Sequence, residues 1–479
     1  MVKGEGRILL LLILLCGFRL ELFSTNDSPL TTHQFGSPVD YQITLAGNFG
    51  EPRPNHFHGG IDVKTDNVEG KHIYSIGDGY VSRLTVGLYG FGNAVYVTHP
   101  EGYTSIYCHL KRFAPKLEKV IKRTGKRDEQ IDLHFTPLDF PVSQGQLIAL
   151  SGNTGHSTGP HLHLEIHDSR TWDMMDPLDF LTAYVCDSVP PQAHSFMACP
   201  VVGEGVFNGG SSKQTFGFGE QSMDVRFRSS LKLDHEFTAW GKVGFALWAD
   251  DYMQGVYNHY GIRETILLVD GEEVFRSNVS RIPVNSTRQV NSWGDYDHWQ
   301  HHKTWYMRSY IPKGVTLPIL QAGENRGIVD FNEERPYQMV YILRDFMGNE
   351  ARYEFTVQGV RTPINPITPI TPINVHYDRL SLISLPGMQL TIPAGMVEDA
   401  LRIEPKVEQG SISPRYTFAQ QTCPLFGWVE LSIAVPRGVN PSRLYIDGGG
   451  RDMGGEYQDG WMTTRIRELG VPYELKLKN

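Results

Sequence analysis

Gly152-Asn153-Thr154-Gly155-His156-Ser157-Thr158-Gly159-Pro160-His161-Leu162-His163-Leu164-Glu165 is a glycine-rich loop that runs into a strict alternation of polar and apolar residues. Successive side chains of a β-strand point to opposite faces. His161, His163 and Glu165 therefore share one face, and Leu162 and Leu164 enter a core. Two imidazoles two residues apart on a rigid strand make half of a metal site. Gly152, Gly155 and Gly159 let the preceding loop bend away and leave the mouth of the strand open. The loop lacks the Gly-Lys-Ser/Thr ending of a phosphate-binding loop, and no helical pattern follows it. Alone, a His-x-His pair is more often a surface or core pair than a ligand pair.

The 479 residues are enough for about three domains. A net charge of −9 gives a nucleic-acid partner no electrostatic support. Short strand-like patches separated by Gly and Pro predict a mainly β protein. In residues 33–185 they recur at Tyr41–Leu45, His72–Ile76, Tyr80–Val86, Ala94–Thr98, Thr104–His109, Gln146–Ser151 and His161–His167. Lys116–Arg127 interrupts them as a short surface helix. Residues 192–360 are strand-rich. There Tyr337–Arg344 and Arg352–Val357 flank an Asp345–Asn349 turn, which predicts a β-sandwich of immunoglobulin-like type. Residues 361–376 carry a Pro-Ile-Asn/Thr repeat that reads as an extended linker, and residues 377–479 form a small β-rich module.

Residues 1–24 read as an export segment, with Lys3 and Arg7 before the apolar run Ile8–Leu15. No small-x-small cleavage site stands out. Cys16 raises lipid attachment, although Ile13, Leu14 and Leu15 are large for such a site. Membrane contact is expected only through this segment, if it stays uncleaved or is lipidated. Cys186 and Cys199 are close enough in sequence to pair in an oxidising compartment.

Upstream, Arg53-Pro54-Asn55-His56-Phe57-His58-Gly59-Gly60-Ile61-Asp62 offers a second ligand pair. In an extended segment His58, Gly60 and Asp62 fall on one face, and Ile61 and Val63 are expected to be only partly buried. His58 and Asp62 with one of His161 or His163 make a two-histidine, one-carboxylate set that suits Zn2+. Three protein ligands leave a fourth position for water. The plainer reading of His58 and Asp62 is a loop with a surface ion pair. Tyr107-Cys108-His109-Leu110 adds His109, either a core histidine bonded to backbone or an acid/base beside a metal.

His58-Gly-Gly-Ile-Asp62, Tyr107-Cys-His109-Leu and Gly159-Pro-His161-Leu-His163-Leu-Glu165, in this order, resemble the LytM/lysostaphin-type zinc metallopeptidases, which cut peptides in bacterial peptidoglycan. The resemblance covers about residues 45–180 and includes Gly77-Asp78-Gly79-Tyr80-Val81 and Val142–Gly152. It implies one zinc per chain, held by His58, Asp62 and His163. It implies that His109 and His161 flank the water and the substrate carbonyl, as general base and transition-state stabilisers. It also implies a compact antiparallel β domain of duplicated-hybrid or barrel-sandwich type with a groove across the sheet, followed by β-sandwich modules.

The implied reaction is endopeptidase cleavage of peptidoglycan crosslinks or stem peptides. Arg53 could meet a stem-peptide carboxylate, although an exposed arginine is more simply solvated. The β-rich tail resembles that of exported homologues in Gram-negative bacteria of the Bacteroidetes type. That places the chain in the periplasm or cell envelope, with the C-terminal domains docking, spacing or meeting envelope partner proteins. Cys108, where a small residue is usual, and the inserted helix are the departures. Relatives that lost their ligands bind the wall or activate amidases, and the full ligand set here argues against that alternative. A sugar-transport phosphocarrier also presents a histidine pair, but the export segment and Asp62 count against it. Asp295–His302 could hold a second metal and reads instead as an exposed polar loop, with Trp299 and Trp305 packing.

Overall fold

A computed structural model describes residues 35–124, 130–219, 230–366, 375–419 and 423–478. The export segment, the end of the 116–127 stretch and residues 367–374 of the Pro-Ile repeat lie outside the described residues. Among the described residues no helix is long and apolar enough to cross a membrane.

The first part of the chain is built from short strands: β1 (Leu45–Gly47), β2 (Pro52–Arg53), β3 (His56–Phe57), β4 (Ile61–Lys64), β5 (His72–Tyr74), β6 (Gly79–Val86), β7 (Ala94–Thr98), β8 (Tyr103–Cys108) and β9 (Arg112–Phe113). The helix α1 (Pro115–Arg123) interrupts them as expected, with Pro at its start, Glu118 in its first turn and Leu117 buried. Then follow β10 (Ile131–His134), β11 (Pro141–Val142), β12 (Leu147–Leu150) and β13 (His161–Asp168). The main antiparallel sheet runs β1-β4-β13-β8-β7-β6-β10, and β5-β12-β9 form a smaller one. β2 and β3 are a hairpin of their own. The expected strand Tyr41–Leu45 is absent: only Leu45 enters β1, and Ile43 makes an isolated bridge to Val185.

Alternation decides which face is core. Leu162, Leu164 and Ile166 of β13 are fully buried, and so are Ile61 and Val63 of β4. The expected partial burial of Ile61 and Val63 is therefore incorrect. Two residues apart on one strand, they share a face. The approach to β4 depends on Gly60, where an added Cβ would sit 2.1 Å from the Leu164 carbonyl oxygen.

The strands between Gln192 and Gly359, apart from Arg281–Ile282, join one eleven-stranded sheet. Its continuity comes from a 23-residue strand, Ser230–Tyr252, which pairs antiparallel with Gln192–Phe207 and parallel with Glu350–Gly359. Pro336–Arg344 and Glu350–Gly359 form the hairpin read from their alternation. The core is aromatic, with Phe196 stacked on Phe355 at 4.2 Å between centroids. The last segment makes two five-stranded sheets around one core that includes Leu390, Leu431, Ile446 and Leu475.

The first two regions interlock. Met174–Met175 pairs with β13 on one side and with Arg281–Ile282 on the other. Arg281 bonds Asp173 at 2.8 Å, and Arg263 pairs with Asp176 and Asp179. Phe49 and Phe57 belong to the core of the eleven-stranded sheet, while Met253 and Tyr260 belong to that of the first.

Two further expectations are corrected. Cys186 and Cys199 are both free: Cys199 is buried in its strand beside Met197, Ala246 and Tyr306, and Cys186 is exposed. Asp295–His302 is not a loop but a helix, Tyr296–His302, capped by Asp295 accepting from the His298 amide. Asp295 also pairs with Lys213, and Trp299 stacks on Trp305 as expected.

Replacing Gly60 with Ala is expected to cost about 1–3 kcal/mol, the range for overpacking a site that cannot relax. Urea unfolding checks this. A loss below about 0.5 kcal/mol would show that the spacing between β4 and β13 is soft.

Candidate metal centre

Three adjacent strands set the centre. In the register His163 of β13 lies opposite Asp62 of β4 on one side and Cys108 of β8 on the other. Residues directly opposite in an antiparallel pair bring their Cβ atoms about 4.5–5.5 Å apart. With Leu162 and Leu164 in the core, His161, His163 and Glu165 face away from it together, as the alternation predicts.

His58 comes from a different element. It follows the β2–β3 hairpin and is 2% exposed. Its amide donates to the Glu51 carbonyl at 3.0 Å, and its carbonyl accepts from Gly50 at 2.8 Å. The chain between His58 and Asp62 turns at Gly59 and Gly60 rather than running as one strand, yet His58 Nε2 stands 3.1 Å from Asp62 Oδ1. His163 Nδ1 stands 2.8 Å from the same oxygen and 3.0 Å from His58 Nε2. These three atoms are close to the edges of a tetrahedron, which measure about 3.3 Å for ligand bonds near 2.0–2.1 Å.

The outer nitrogen of each imidazole is tied down. A carbonyl can only accept, so His58 Nδ1–H donates to Asn48 at 2.6 Å, His109 Nδ1–H to Thr154 at 2.8 Å and His161 Nδ1–H to Gly159 at 2.8 Å. His163 Nε2–H donates to Glu165 at 2.9 Å, and the other oxygen of Glu165 lies 2.6 Å from His167 Nε2. In the neutral rings this leaves His58 Nε2 and His163 Nδ1 as bare lone pairs aimed at the Asp62 carboxylate. Such a convergence of acceptors requires a cation or a proton between them. Asp62 Oδ2 is engaged by Arg53 at 3.2 Å, which leaves Oδ1 for the centre. Arg53, read as a contact for substrate, is thus held by Asp62 of β4 and, at 3.6 Å, by Glu51 just before β2.

The electrostatics agree. Burial opposes ionisation of Asp62, but His58 and the bonds from His161 and His163 outweigh it and hold the carboxyl well below its usual range. Burial would lower His163, yet its bonds to Asp62 and Glu165 push it up to about 9. The metal-free chain therefore keeps a proton there, and a metal at neutral pH must displace it. His109 goes the other way: burial, then the nearby His163, bring it down to about 4. His109 has a left-handed backbone (φ 59°), which turns its ring over the site, 4.9 Å from His161 and 5.8 Å from His163 between centroids. His161 Nε2 is 3.4 Å from Asp62 Oδ1. All five residues read from the sequence thus converge.

What the sequence reading missed is the support. The His161, His163, Glu165 alternation continues to His167, and that signal was available. The rest had none. Asn55, in the hairpin before His58, exchanges bonds with Asn291, 236 positions away, at 2.9 and 3.1 Å. The Phe57 amide donates to Thr287 at 2.9 Å. Asn48, whose carbonyl orients His58, makes paired bonds with Gly261 at 2.7 and 2.9 Å.

Residues 56–126 match the family model described as Peptidase family M23. The match stops before His161 and His163, which stand here on geometry. Residues 373–477 match a Zu5-like domain. The chain is 35% identical over 133 residues to the peptidoglycan DD-endopeptidase ShyC of Vibrio cholerae, covering 27% of this chain and 25% of that one. It is 34% identical over 136 residues to ShyA, a peptidoglycan DD-endopeptidase of the same organism, covering 27% and 26%. The chain thus spans about a quarter of the length of the curated relatives it matches. A crystal structure of a zinc-containing peptidase from Vibrio cholerae aligns at 32% identity over 28% of this chain and 37% of that one, with a TM-score of 0.20.

His109 gives a pH signature in the metal-free chain. Its folded pKa of about 4 lies below the unfolded value of 6.5, so the unfolded state binds more protons between them. Stability is expected to fall as pH drops from about 6.5 towards 4. His109→Asn, which tolerates the left-handed backbone, should reduce that slope in urea titrations. An unchanged slope would remove His109 as its source.

Proposed function

We propose that this chain, which carries a peptidase family M23 domain, is a zinc-dependent endopeptidase that hydrolyses peptide crosslinks of bacterial peptidoglycan. The observation that carries the reading is the convergence of His58 Nε2, Asp62 Oδ1 and His163 Nδ1, each with its far side already bonded. Two nitrogens and one carboxylate oxygen are a catalytic rather than structural donor set, because a fourth position stays open. The names of the two Vibrio relatives make a DD-crosslink the first substrate to test.

His58, Asp62 and His163 would hold the zinc, which when bound supplies Lewis-acid polarisation of a carbonyl and activation of water. The remaining steps belong to the chain. His161 Nε2 faces the centre with its Nδ1–H fixed on Gly159, so it is placed to take a proton from water. The imidazole that takes this proton would return it to the leaving amine, and His109, neutral above about pH 4 and 4.9 Å from His161 between ring centroids, would relay it by first accepting it on Nε2. Glu165 fixes the tautomer of His163 and raises its basicity as a ligand.

The export segment supports action outside the cytoplasm, in the periplasm or envelope of a Gram-negative cell. The eleven-stranded sheet would serve the centre directly by clamping Asn48, Asn55 and Phe57 on either side of His58. The last module, which touches the same bracing segment through the bond from Arg288 to the Leu425 carbonyl, would meet wall or envelope partners with its other surfaces.

The test is metal content and muropeptide release on the chain without its export segment. About one zinc per chain and conversion of crosslinked dimers to monomers are expected, and both should be lost in His163→Ala. His109→Asn should keep the zinc and lose roughly 10²–10⁴-fold in kcat, the usual worth of general acid–base help. Stoichiometric zinc with no cleavage of any crosslinked muropeptide would replace the reading with a wall-binding or activator role.

Asn291→Ala should keep zinc stoichiometry but weaken zinc affinity, by no more than the roughly 10–100-fold seen for outer partners of ligands. Competition with a chelator measures it. Unchanged affinity would show that the hairpin holds His58 without the second region.

A further inference from the structure

A second group of ligand-type side chains lies away from the centre. Asp187 follows the segment that leaves the first region, Asp251 stands near the end of the long strand Ser230–Tyr252, and Asp345 opens the turn between Pro336–Arg344 and Glu350–Gly359. A carboxylate oxygen from each lies within 4.8 Å of one from each of the others. All three are buried, at 6%, 2% and 4% exposure.

Their bonding is unbalanced. Asp187 Oδ1 accepts from the Val189 amide at 3.0 Å. Asp345 accepts from the amides of Met347 and Asn349 at 2.9 and 2.8 Å and from the Asn349 side chain at 2.6 Å. These bonds fix the carboxylates in place. Asp187 Oδ2 and Asp251 Oδ1, however, are fully enclosed and have no hydrogen-bond partner. Among the described residues no Lys, Arg or His forms an ion pair with any of the three. An unpaired buried carboxylate costs several kcal/mol, and three sharing a pocket add mutual repulsion. Burial raises all three acids, and for Asp251 the other two carboxyls raise it further. The unpartnered oxygens need either protons or a cation among them.

We propose that Asp187, Asp251 and Asp345 form a cation site for Ca2+ at the seam between the first region and the eleven-stranded sheet. The donors are oxygen only, with no imidazole or thiolate, which selects a hard cation over zinc. Mg2+ gives up water reluctantly and usually keeps several waters, whereas all three carboxylates here are buried away from solvent. Ca2+ accepts carboxylate and carbonyl oxygens in irregular numbers. The ion would tie the strand end at Asp251 to the segment that continues through Met253 and Tyr260, which pack into the first core, and on to Gly261, which grips Asn48. The inference goes beyond the peptidase reading and does not depend on cleavage.

The test uses the zinc-loaded full chain, freed of calcium by a calcium-selective chelator, in calorimetric titration and thermal melting. One Ca2+ per chain is expected, with a melting temperature that rises by several degrees at a hundredfold excess over Kd. Asp251→Asn should abolish the response and, by removing a buried charge, melt above the calcium-free wild type. Asp187→Asn serves as the second variant. Three results overturn the proposal. One is wild-type chain that binds neither Ca2+ nor another divalent cation beyond its zinc. The second is Mg2+ or Mn2+ binding without a Ca2+ response. The third is a Ca2+ response that survives in a folded variant.

Discussion

The cross-strand pair of His163 and Asp62 is the constraint on which the rest of the centre depends. It exists because β13 and β4 share a register that puts both residues on the face opposite Leu162, Leu164, Ile61 and Val63. A slip of one residue in either strand would turn that strand's ligand into the core and its apolar neighbours outward. The apolar core therefore selects the register, and the register delivers the ligands. Hydrophobic burial, which is non-directional, is converted into a directional arrangement by strand pairing.

Around that pair the polar groups are satisfied outward and left bare inward. Asn48, Thr154, Gly159 and Glu165 each accept one imidazole N–H, and Arg53 takes one oxygen of Asp62. Each bond fixes a ring or carboxylate orientation and also fixes which atom remains available. The pKa values of His109 and His163 separate for the same reason. Both rings are buried, but His163 faces two carboxylates, whereas His109 faces other imidazoles and a backbone carbonyl. Two histidines about 6 Å apart are thereby prepared for different states of protonation.

The second β region is structurally part of the centre. The hairpin that ends at His58 has two strands of two residues each, too few to hold a conformation alone. Its rigidity is supplied by Asn291 and Thr287, and the loop beneath it by Gly261. The shared cores and the Met174–Met175 pairing bind the two regions over a wide seam. Displacement of one region against the other would move His58 relative to Asp62 and His163.

Strand alternation is a local property with a period of two residues, and so the chain by itself determined the face of His161, His163 and Glu165, the burial of their leucine neighbours, and the hairpin from Pro336 to Gly359. Which five residues come together was implied by the resemblance of three separated motifs to a known family, because spacing alone left the choice between His161 and His163, and the role of His109, open. Where local pattern was the only guide and no partner was in view, the reading failed. Tyr41–Leu45 alternates but finds no strand to pair with over its length, and Asp295–His302 looks like loop until Asp295 caps it as a helix. Tertiary structure alone decided that His58 is oriented by a carbonyl held from Gly261, that its hairpin is braced from 236 positions away, and that three aspartates far apart in sequence share one enclosed pocket. Those outcomes depend on which distant backbone segments end up adjacent. Adjacency is set by burying the combined apolar faces of whole sheets, a quantity that no short stretch of sequence contains.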